Sequence, residues 1–205
     1  MSIVNTLSLE SNRQIKINFD GGDLSSDAGL LLIKEFVSKI GIDRLFSHSF
    51  KTNDSASFRY HTDKDNLLQM IYMIIAGYFE DDASDELTND PVFKAVLNKE
   101  ALASQPTISR FHNRLDEDSL NQFLSISRIL RKKIYSIQIP DAVILDLDST
   151  LLDAYGKQEG KAFNFHYQSN GYHPLVCYDR ITGDLIKIQL RDGTRYSCTG
   201  VVDFL

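Results

Sequence analysis

The segment Val143-Ile144-Leu145-Asp146-Leu147-Asp148-Ser149-Thr150 carries two carboxylates two residues apart. The apolar run Ala142–Asp148 predicts a buried central β-strand, and alternate side chains of a strand project from the same face. Because two like charges buried side by side are costly, a bound divalent cation would offset their repulsion. Carboxylate oxygens suit Mg²⁺ or Mn²⁺, so Asp146 and Asp148 are predicted metal ligands. The alternative is that one aspartate caps the next turn, which accounts for one carboxylate and not for two.

Two classes of enzyme use such a strand. The segment resembles the first motif of the haloacid-dehalogenase-like Mg²⁺ phosphatases, in which Asp146 would be the nucleophile and Asp148 the general acid/base. In ribonuclease-H-like nucleotidyl transferases, an aspartate on the first strand joins later acidic residues in holding two metals. Two further strands are predicted, His173–Asp179 and Leu185–Leu190, with the turn 180–184 between them. Three consecutive strands before a helix favour the ribonuclease-H-like order, because the phosphatase motif should run directly into a helix.

The composition is that of a globular protein. Of 205 residues, 42% are hydrophobic and 24% are charged, which excludes a disordered or fibrous chain. The 22 Lys and Arg against 28 Asp and Glu give a net charge of -6, so any DNA contact must come from a local patch. Two cysteines make no disulfide framework, and the apolar run Leu67–Phe79 is shorter than the about 20 residues of a membrane span. We therefore expect a cytoplasmic protein without a membrane segment.

The first two thirds of the chain have the pattern of a helical domain. A short strand is predicted over Arg13–Asp20, and Ser47–Thr62 is predicted to be a loop. Pro140 marks the change from helical to strand periodicity, which predicts a helical domain over 1–138 and a second domain over 139–205. The predicted helices are Ala28–Ile40, Asp65–Phe79, Ser84–Thr88, Pro91–Leu97, Ser104–Leu115 and Ser119–Tyr135.

DNA binding is sought in the helical domain. The segment Ser104–Tyr135 has six basic and three acidic residues in a chain of negative net charge. The helices Pro91–Leu97 and 107–115 flank a connection that loosely resembles a helix-turn-helix. The alternative is a solvated helical face without a ligand. The candidate groove or phosphate contacts are Thr107, Ser109, Arg110, Asn113 and Arg114.

Five motifs along the chain share their sequence and order with one known family. They are Phe19–Phe36 (containing G-G-x-L-S-S-D-A-G-L-L-L), Asn89-Asp90-Pro91-Val92-Phe93-Lys94, Leu102-Ala103-Ser104-Gln105-Pro106-Thr107, Leu145-Asp146-Leu147-Asp148-Ser149-Thr150 and Gly171-Tyr172-His173-Pro174-Leu175. Together they resemble the DDE-type transposases of bacterial insertion sequences, in the group whose first catalytic segment reads L-D-x-D-S-T.

The resemblance implies a mixed α/β architecture, with a helical N-terminal domain followed by the first three strands of a ribonuclease-H-like catalytic domain. It implies DNA transposition: two-metal cutting and joining at the terminal inverted repeats of the element, with Mg²⁺ or Mn²⁺ as cofactor. Asp148 is the expected first catalytic aspartate and Asp146 a supporting or alternative ligand. The second aspartate and the glutamate of such families would follow a helix beyond the third strand. We therefore expect a truncated N-terminal fragment that does not cut DNA alone.

The expected partners are DNA and a second copy or a full-length transposase, and the expected location is the bacterial nucleoid. Two other functions remain open from the sequence. One is the Mg²⁺ phosphatase with Asp146 as nucleophile. The other is a helical DNA-binding protein without enzymatic activity, whose binding would not depend on Asp146 or Asp148.

Overall fold

Helices and strands both contribute to the architecture, as the computed structural model shows for residues 6–18 and 26–205. The chain divides into two compact units, Met1–Ile126 and Ser127–Leu205. The predicted mixed α/β class is confirmed. None of the described helices is long and apolar enough to cross a membrane.

The first unit is mostly helical. A two-stranded antiparallel hairpin opens it, and its second strand is shorter than the predicted Arg13–Asp20, of which Phe19 and Asp20 lie outside the described residues. The elements are β1 (Thr6–Ser8), β2 (Lys16–Asn18), α1 (Leu30–Ile40), α2 (Ile42–Ser49), α3 (Asp63–Ala76), α4 (Ala83–Glu86), α5 (Pro91–Leu97), α6 (Gln105–His112) and α7 (Glu117–Ile137), the last of which continues into the second unit.

Helix α3 is the centre of the first unit. Its first turn is closed by a capping box, in which the Thr62 hydroxyl accepts the Asp65 N–H and the Asp65 carboxylate accepts the Thr62 N–H. Leu67, Leu68 and Tyr72 are buried, and α3 packs against α1, α2, α5 and α6. The helix predicted over Asp65–Phe79 is present, and its residues are buried from Leu67 to Gln69 and at Tyr72 and Met73, whereas Ile74 and Ile75 are about half exposed.

Helix α5 follows its local sequence signals closely. Helix α5 has its predicted bounds because the Asp90 carboxylate accepts the N–H groups of Val92 and Phe93, and Pro91 occupies the first turn. Helix α2 was not predicted, and Ser47–Ser49 of the expected loop form its end. Its apolar residues Ile42, Leu45 and Phe46 have helical spacing, but the helix is only eight residues long, which is a short window for recognising a period.

The second unit contains two small sheets. The larger consists of β3 (Leu145–Ser149), β7 (Leu175–Asp179) and β8 (Leu185–Gln189), antiparallel and in the order β3-β7-β8. The other is an insert between β3 and β7 that was not predicted. It consists of β4 (Leu152–Asp153), β5 (Ala162–Asn164) and β6 (Ser169–Tyr172), in the order β4-β6-β5.

The expectation that Ala142–Asp148 forms a buried central strand is wrong for the described residues. β3 is an edge strand, and Val143, Ile144 and Leu145 are about half exposed, while β7 is central and largely buried. One face of the sheet is covered by α8 (Val201–Phe204), whose Phe204 packs with Leu175 and Cys177. The edge of β3 away from β7 has no strand beside it in the part of the chain described.

The boundary between the compact units lies inside α7, whereas the sequence predicts a change of domain at residue 138. Hydrogen bonds explain the difference. The Arg131 Nη2 donates to the Leu185 carbonyl at 2.7 Å, and the Tyr135 hydroxyl donates to the Asp179 carboxylate at 3.4 Å. The last three turns of α7 therefore belong to the second unit.

Candidate functional site

The two aspartates of β3 project from one face of the sheet. In the strand register, Asp146 pairs with Tyr178 and Asp148 pairs with Val176. Leu147, between them, points to the opposite face and packs against the core around Cys177. The sequence prediction that both carboxylates share a face is therefore confirmed, and both residues are exposed to solvent.

Backbone contacts orient the end of β3. The Ser149 N–H donates to the Asp148 Oδ1 at 2.7 Å, which fixes one carboxylate oxygen beside the backbone. Ser149 is buried, and its carbonyl accepts the Tyr167 hydroxyl of the insert at 3.4 Å. Asp148 therefore lies where β3 meets the insert.

The two carboxylates do not form a complete metal cage by themselves. Among the described residues, no group of three or more His, Cys, Asp or Glu side chains could hold a metal ion. Mg²⁺ usually keeps several waters and binds one or two carboxylates together with substrate phosphates, so an exposed pair of carboxylates fits its coordination. The nearby Cys177 is not a nucleophile candidate, because burial, and then the charge of Asp146, raise the pKa of its thiol.

Arg114, a predicted DNA contact, is committed to the fold. Its Nη2 lies 3.1 Å from the Asp63 Oδ1, and its Nε donates to the Thr52 hydroxyl at 3.1 Å. Asp54 lies 3.6 Å from the same Nε. The side chains of Arg114 and Asp63 are only 16% and 17% exposed, so this guanidinium is not presented to a phosphate.

Of the remaining predicted DNA contacts, Thr107, Ser109 and Arg110 lie in α6 and Asn113 directly follows its last residue; Arg110 and Asn113 are exposed. The Arg110 Nη2 donates to the Thr107 hydroxyl at 3.2 Å, and Ser109 and Thr107 are half-buried. The structure therefore brings these side chains to one helix and its C-terminal end, where Arg110 and Asn113 are exposed.

The surroundings of α6 do not have the geometry of a helix-turn-helix. Seven residues separate the end of α5 from the start of α6, against a turn of about three to four residues in that motif. The first residue of α6, Gln105, donates through its backbone N–H to Asp85 at 2.9 Å and through its Nε2 to Asp81 at 3.0 Å. A recognition helix presents its N-terminal residues to DNA, and two carboxylates at that position would repel phosphate.

The first unit is acidic, whereas the second is nearly neutral. Residues 127–205 contain 10 Lys and Arg against 9 Asp and Glu, whereas residues 1–126 contain 12 against 19. Within α7, Arg128 and Lys132 are one helical turn apart, and both are exposed. Both side chains belong to the basic segment Ser104–Tyr135, but neither is among the predicted DNA contacts. Their spacing of four residues is the signal in the sequence that places them on one face of the helix.

A family model described as transposase DDE domain group 1 matches residues 7–205, almost the entire chain. The chain belongs to this family. The resemblance to DDE-type transposases drawn from the sequence motifs is thereby confirmed. No curated protein and no solved structure matches the chain.

Membership in the DDE transposase family links the chain to transposition and implies that it binds DNA. DDE transposases generally use a divalent metal, in agreement with the exposed oxygen ligands on β3. The DDE domain therefore has one candidate chemical site in the described residues, the Asp146–Asp148 pair, and one basic surface in the same unit, on α7.

Proposed function

We propose that this DDE domain takes part in cutting and joining DNA at the terminal inverted repeats of its own element, with Asp148 and Asp146 as ligands of Mg²⁺ or Mn²⁺. The observation that carries the proposal is the pair of exposed carboxylates on one face of β3, in a chain that matches the family from residue 7 to 205. Asp148 is the principal catalytic residue of the proposal, because its carboxylate is oriented by the Ser149 N–H.

The sheet supports a ribonuclease-H-like catalytic domain. The strands β3, β7 and β8 form an antiparallel sheet in which their spatial order is the same as their order along the chain. The first of them, β3, bears the two aspartates. In the described part of the chain, the strands β4, β5 and β6 that lie between β3 and β7 in sequence all belong to the insert. This order agrees with the three-strand meander expected from the sequence.

The chemistry follows from what the exposed carboxylates can bind. Bound metal would activate an attacking oxygen and stabilise the leaving oxygen in phosphodiester cleavage or strand transfer. The chain's own part is to present two hard oxygen ligands on a rigid strand, side by side and open to DNA. A cutting reaction also needs acidic ligands beyond this pair, and we propose that the described residues do not cut DNA without them.

The phosphatase alternative finds no support in the fold. After β3 the chain enters β4 at Leu152, whereas that class of enzyme runs from its first motif into a helix. If the chain were a DNA-binding protein without enzymatic activity, Asp146 and Asp148 would have no role. The family match favours the transposase over this alternative.

The proposal is tested by the DNA that surrounds the gene. We expect inverted repeats on both sides, and we expect the chain to bind a duplex of the repeat more tightly than a scrambled duplex of equal length. Binding should weaken as salt increases, because phosphate contacts release counterions. Replacement of Arg128 and Lys132 by Ala should reduce both affinity and salt dependence, whereas the control Lys94→Ala, in α5, should change neither. Absence of repeats together with equal binding to both duplexes would overturn the proposal.

A further inference from the structure

The sheet face that carries Asp146 and Asp148, here called the carboxylate face, also presents side chains of the central strand β7. In the antiparallel register, Tyr178 lies directly opposite Asp146, and Val176 lies directly opposite Asp148. Residues opposite each other project from the same face, with their Cβ atoms about 4.5–5.5 Å apart. Tyr178 is 42% exposed, whereas Val176 is buried. Tyr178 is therefore the exposed side chain of β7 beside the carboxylate pair.

Arg180 extends the carboxylate face beyond the end of β7. Its backbone N–H donates to the Ile144 carbonyl at 2.8 Å, so the pairing of the two strands continues past Asp179. The Asp179 side chain is fully buried on the core side of the sheet. Because side chains alternate along a strand, Arg180 lies on the opposite side, with Tyr178. Arg180 is exposed to solvent.

Tyr178 and Arg180 have donor groups that the fold does not use. Within the part of the chain that the structure describes, neither the Tyr178 hydroxyl nor the Arg180 guanidinium has a hydrogen-bond or ion-pair partner. By contrast, the hydroxyls of Tyr135, Tyr167 and Tyr172 in the same unit each donate to an oxygen atom. A tyrosine hydroxyl and a guanidinium are both donors to phosphate oxygens. The two groups therefore remain available for a phosphate ligand.

The other charged side chains of these strands belong to the opposite, core-packed face. The Lys187 Nζ lies 4.9 Å from the centre of the Phe204 ring, which is part of the core. Asp184 lies opposite the buried Asp179, whose N–H donates to the Asp184 carbonyl at 2.9 Å. In the described sheet and the turn after β7, the carboxylate face therefore has three charged side chains, the two aspartates of β3 and Arg180.

The net charge of the carboxylate face reverses its sign when a divalent cation binds. Asp146 and Asp148 contribute two negative charges and Arg180 contributes one positive charge, which leaves a net charge of -1 without the cation. A cation of charge +2 on the two aspartates brings the face to a net positive charge of the same size. The face therefore repels phosphate without the cation and attracts it with the cation bound.

We infer that Tyr178 and Arg180 bind a phosphate of the DNA strand on which the Asp146–Asp148 site acts, and that this contact requires the divalent cation. The inference rests on the proposed function, because it needs DNA and metal at the same face. The Tyr178 hydroxyl would donate to a phosphate oxygen beside Asp146, and the Arg180 guanidinium would bind a second oxygen. Such contacts hold the phosphodiester in a fixed orientation at the metal site.

The affinity for DNA with and without the cation tests the inference. The probe is a fluorescently labelled duplex of the terminal repeat, titrated with the chain in Mn²⁺ and in EDTA at constant ionic strength. The readout is the ratio of the two dissociation constants, because contacts that do not depend on the cation, such as those of α7, cancel in the ratio. We expect Mn²⁺ to increase the affinity of the parent chain about tenfold, the effect of one charge-assisted hydrogen bond.

Substitutions of the two donors should reduce this gain. Arg180→Ala should lose most of it, whereas Arg180→Lys, which retains the charge, should keep part of it. Tyr178→Phe keeps the ring and should reduce the gain about threefold, because one neutral hydrogen bond is lost. Binding of Mn²⁺ without DNA, measured by electron paramagnetic resonance, should be the same in Tyr178→Phe as in the parent chain. The control Arg195→Ala removes an arginine that pairs with Asp192 and should leave the ratio unchanged. Circular dichroism checks the fold of each variant.

The double variant Asp146→Asn, Asp148→Asn has a distinct expected result. Without the two negative charges, Arg180 alone determines the charge of the face. This variant should therefore bind the duplex in EDTA more tightly than the parent chain does, and it should gain nothing from Mn²⁺. Addition of Arg180→Ala to the double variant should remove the increase. A purely structural role of Arg180 predicts neither result.

The other outcomes separate the inference from the proposed function. An equal gain from Mn²⁺ in the parent chain, Arg180→Ala and Tyr178→Phe would overturn the inference and leave the proposed function standing. If Arg180→Ala loses the same affinity in both buffers, Arg180 is a general phosphate contact, and the requirement for the cation is overturned. Mn²⁺-dependent binding of inorganic phosphate without any effect of Mn²⁺ on duplex binding would assign the donors to free phosphate and overturn the DNA contact. Failure of the parent chain to bind the duplex in either buffer would remove the proposed function itself.

Discussion

The Arg114 guanidinium lies 3.1 Å from the Asp63 carboxylate, although the two residues are 51 positions apart in the sequence. The contact joins the segment that follows α6 to the first turn of α3, and Asp54 approaches the same guanidinium at 3.6 Å. An arginine that sequence analysis selects for DNA binding is thereby used to hold two helices of the first unit together.

Arg114→Ala should lower the free energy of unfolding by about 2 kcal/mol, because it leaves the mostly buried Asp63 carboxylate without its cation, whereas Asp54 keeps its ion pair with Arg59. Urea denaturation followed by circular dichroism measures the change. The control is Arg110→Ala, whose side chain is exposed, and which should stay within about 0.5 kcal/mol of the parent chain. A stable Arg114→Ala chain with weakened DNA binding would return Arg114 to the list of phosphate contacts.

Arg114 illustrates which structural features a sequence pattern can and cannot predict. Helix α5 and the strands β7 and β8 were predicted within two residues of their observed bounds, because caps, proline and alternation are local signals. The partners of Arg114 lie 51 and 62 residues away, so the sequence does not reveal them. The insert is likewise not revealed by local sequence signals. Its strands are two to four residues long, and they depend on pairing with each other and on glycines where two backbones approach closely.

For the candidate site, the sequence correctly predicts that the two aspartates share one face of the strand. It wrongly predicts that the strand itself is buried. Alternation along a strand follows from backbone geometry alone, so the sequence suffices to place both carboxylates on one side. Whether a strand is central depends on the strands beside it, and an apolar run does not contain that information. Val143 and Ile144 are therefore half exposed despite their apolar character.

Gly171→Ala should disrupt the insert. An added Cβ would overlap the Leu152 carbonyl and press on Asp153, and both are backbone positions of the paired strand β4 that have little freedom to move. We expect the β4–β6 amides to lose protection in hydrogen exchange and the free energy of unfolding to fall by about 2 kcal/mol or more. Gly29→Ala is the control, since nothing lies within 4 Å of its added Cβ and its φ is -58°. Unchanged exchange in Gly171→Ala would contradict the close strand contact.

Asp179 should make stability depend on pH. Its carboxylate is fully buried, and the Ile181 N–H, followed by the Ile144 N–H and the Thr182 hydroxyl, lowers its pKa in the folded chain. A folded-state pKa below the unfolded value of about 3.9 means that the carboxylate stabilises the fold above that pH. This stabilisation is lost as the pH falls through the folded-state pKa.

Asp179→Asn should therefore be less stable than the parent chain at pH 7, and the difference should narrow as the pH falls below about 4. Thermal unfolding at a series of pH values measures both curves. The exposed Asp203→Asn should follow the parent curve throughout. A constant difference between Asp179→Asn and the parent at all pH values would show that the hydrogen bonds and not the charge are responsible.

The free edge of β3 should promote association between copies. Among the described residues β3 pairs with β7 alone, and the adjoining Ile144 is about half exposed, a combination that favours edge-to-edge pairing. We expect sedimentation velocity to show concentration-dependent dimers or larger species. Ile144→Lys should shift the distribution towards the monomer, because a charge on the edge opposes pairing, whereas Ile181→Lys in the turn after β7 should not. A parent chain that sediments as a monomer at all concentrations would contradict this expectation.

Asp148 and Asp146 should account for binding of a divalent cation. The two carboxylates extend from one face of β3 into solvent, and the core side of the strand is closed by Leu147 against Cys177. Mn²⁺ is used as the probe in place of Mg²⁺, because the electron paramagnetic resonance signal of free Mn²⁺ decreases as the ion binds. The decrease gives the bound fraction. Asp148→Asn and Asp146→Asn should each weaken binding by about tenfold or more, since loss even of a supporting group at a metal site has effects of this size.

The double variant Asp146→Asn, Asp148→Asn separates this site from the other carboxylates of the acidic chain. It should abolish the tightest class of Mn²⁺ binding, whereas Asp141→Asn, an exposed carboxylate of the same unit outside the pair, should leave that class unchanged. If only Asp148→Asn weakens binding, Asp146 is not a ligand and β3 holds the metal through one aspartate. If the double variant binds Mn²⁺ as the parent does, the carboxylates on β3 are not the metal site.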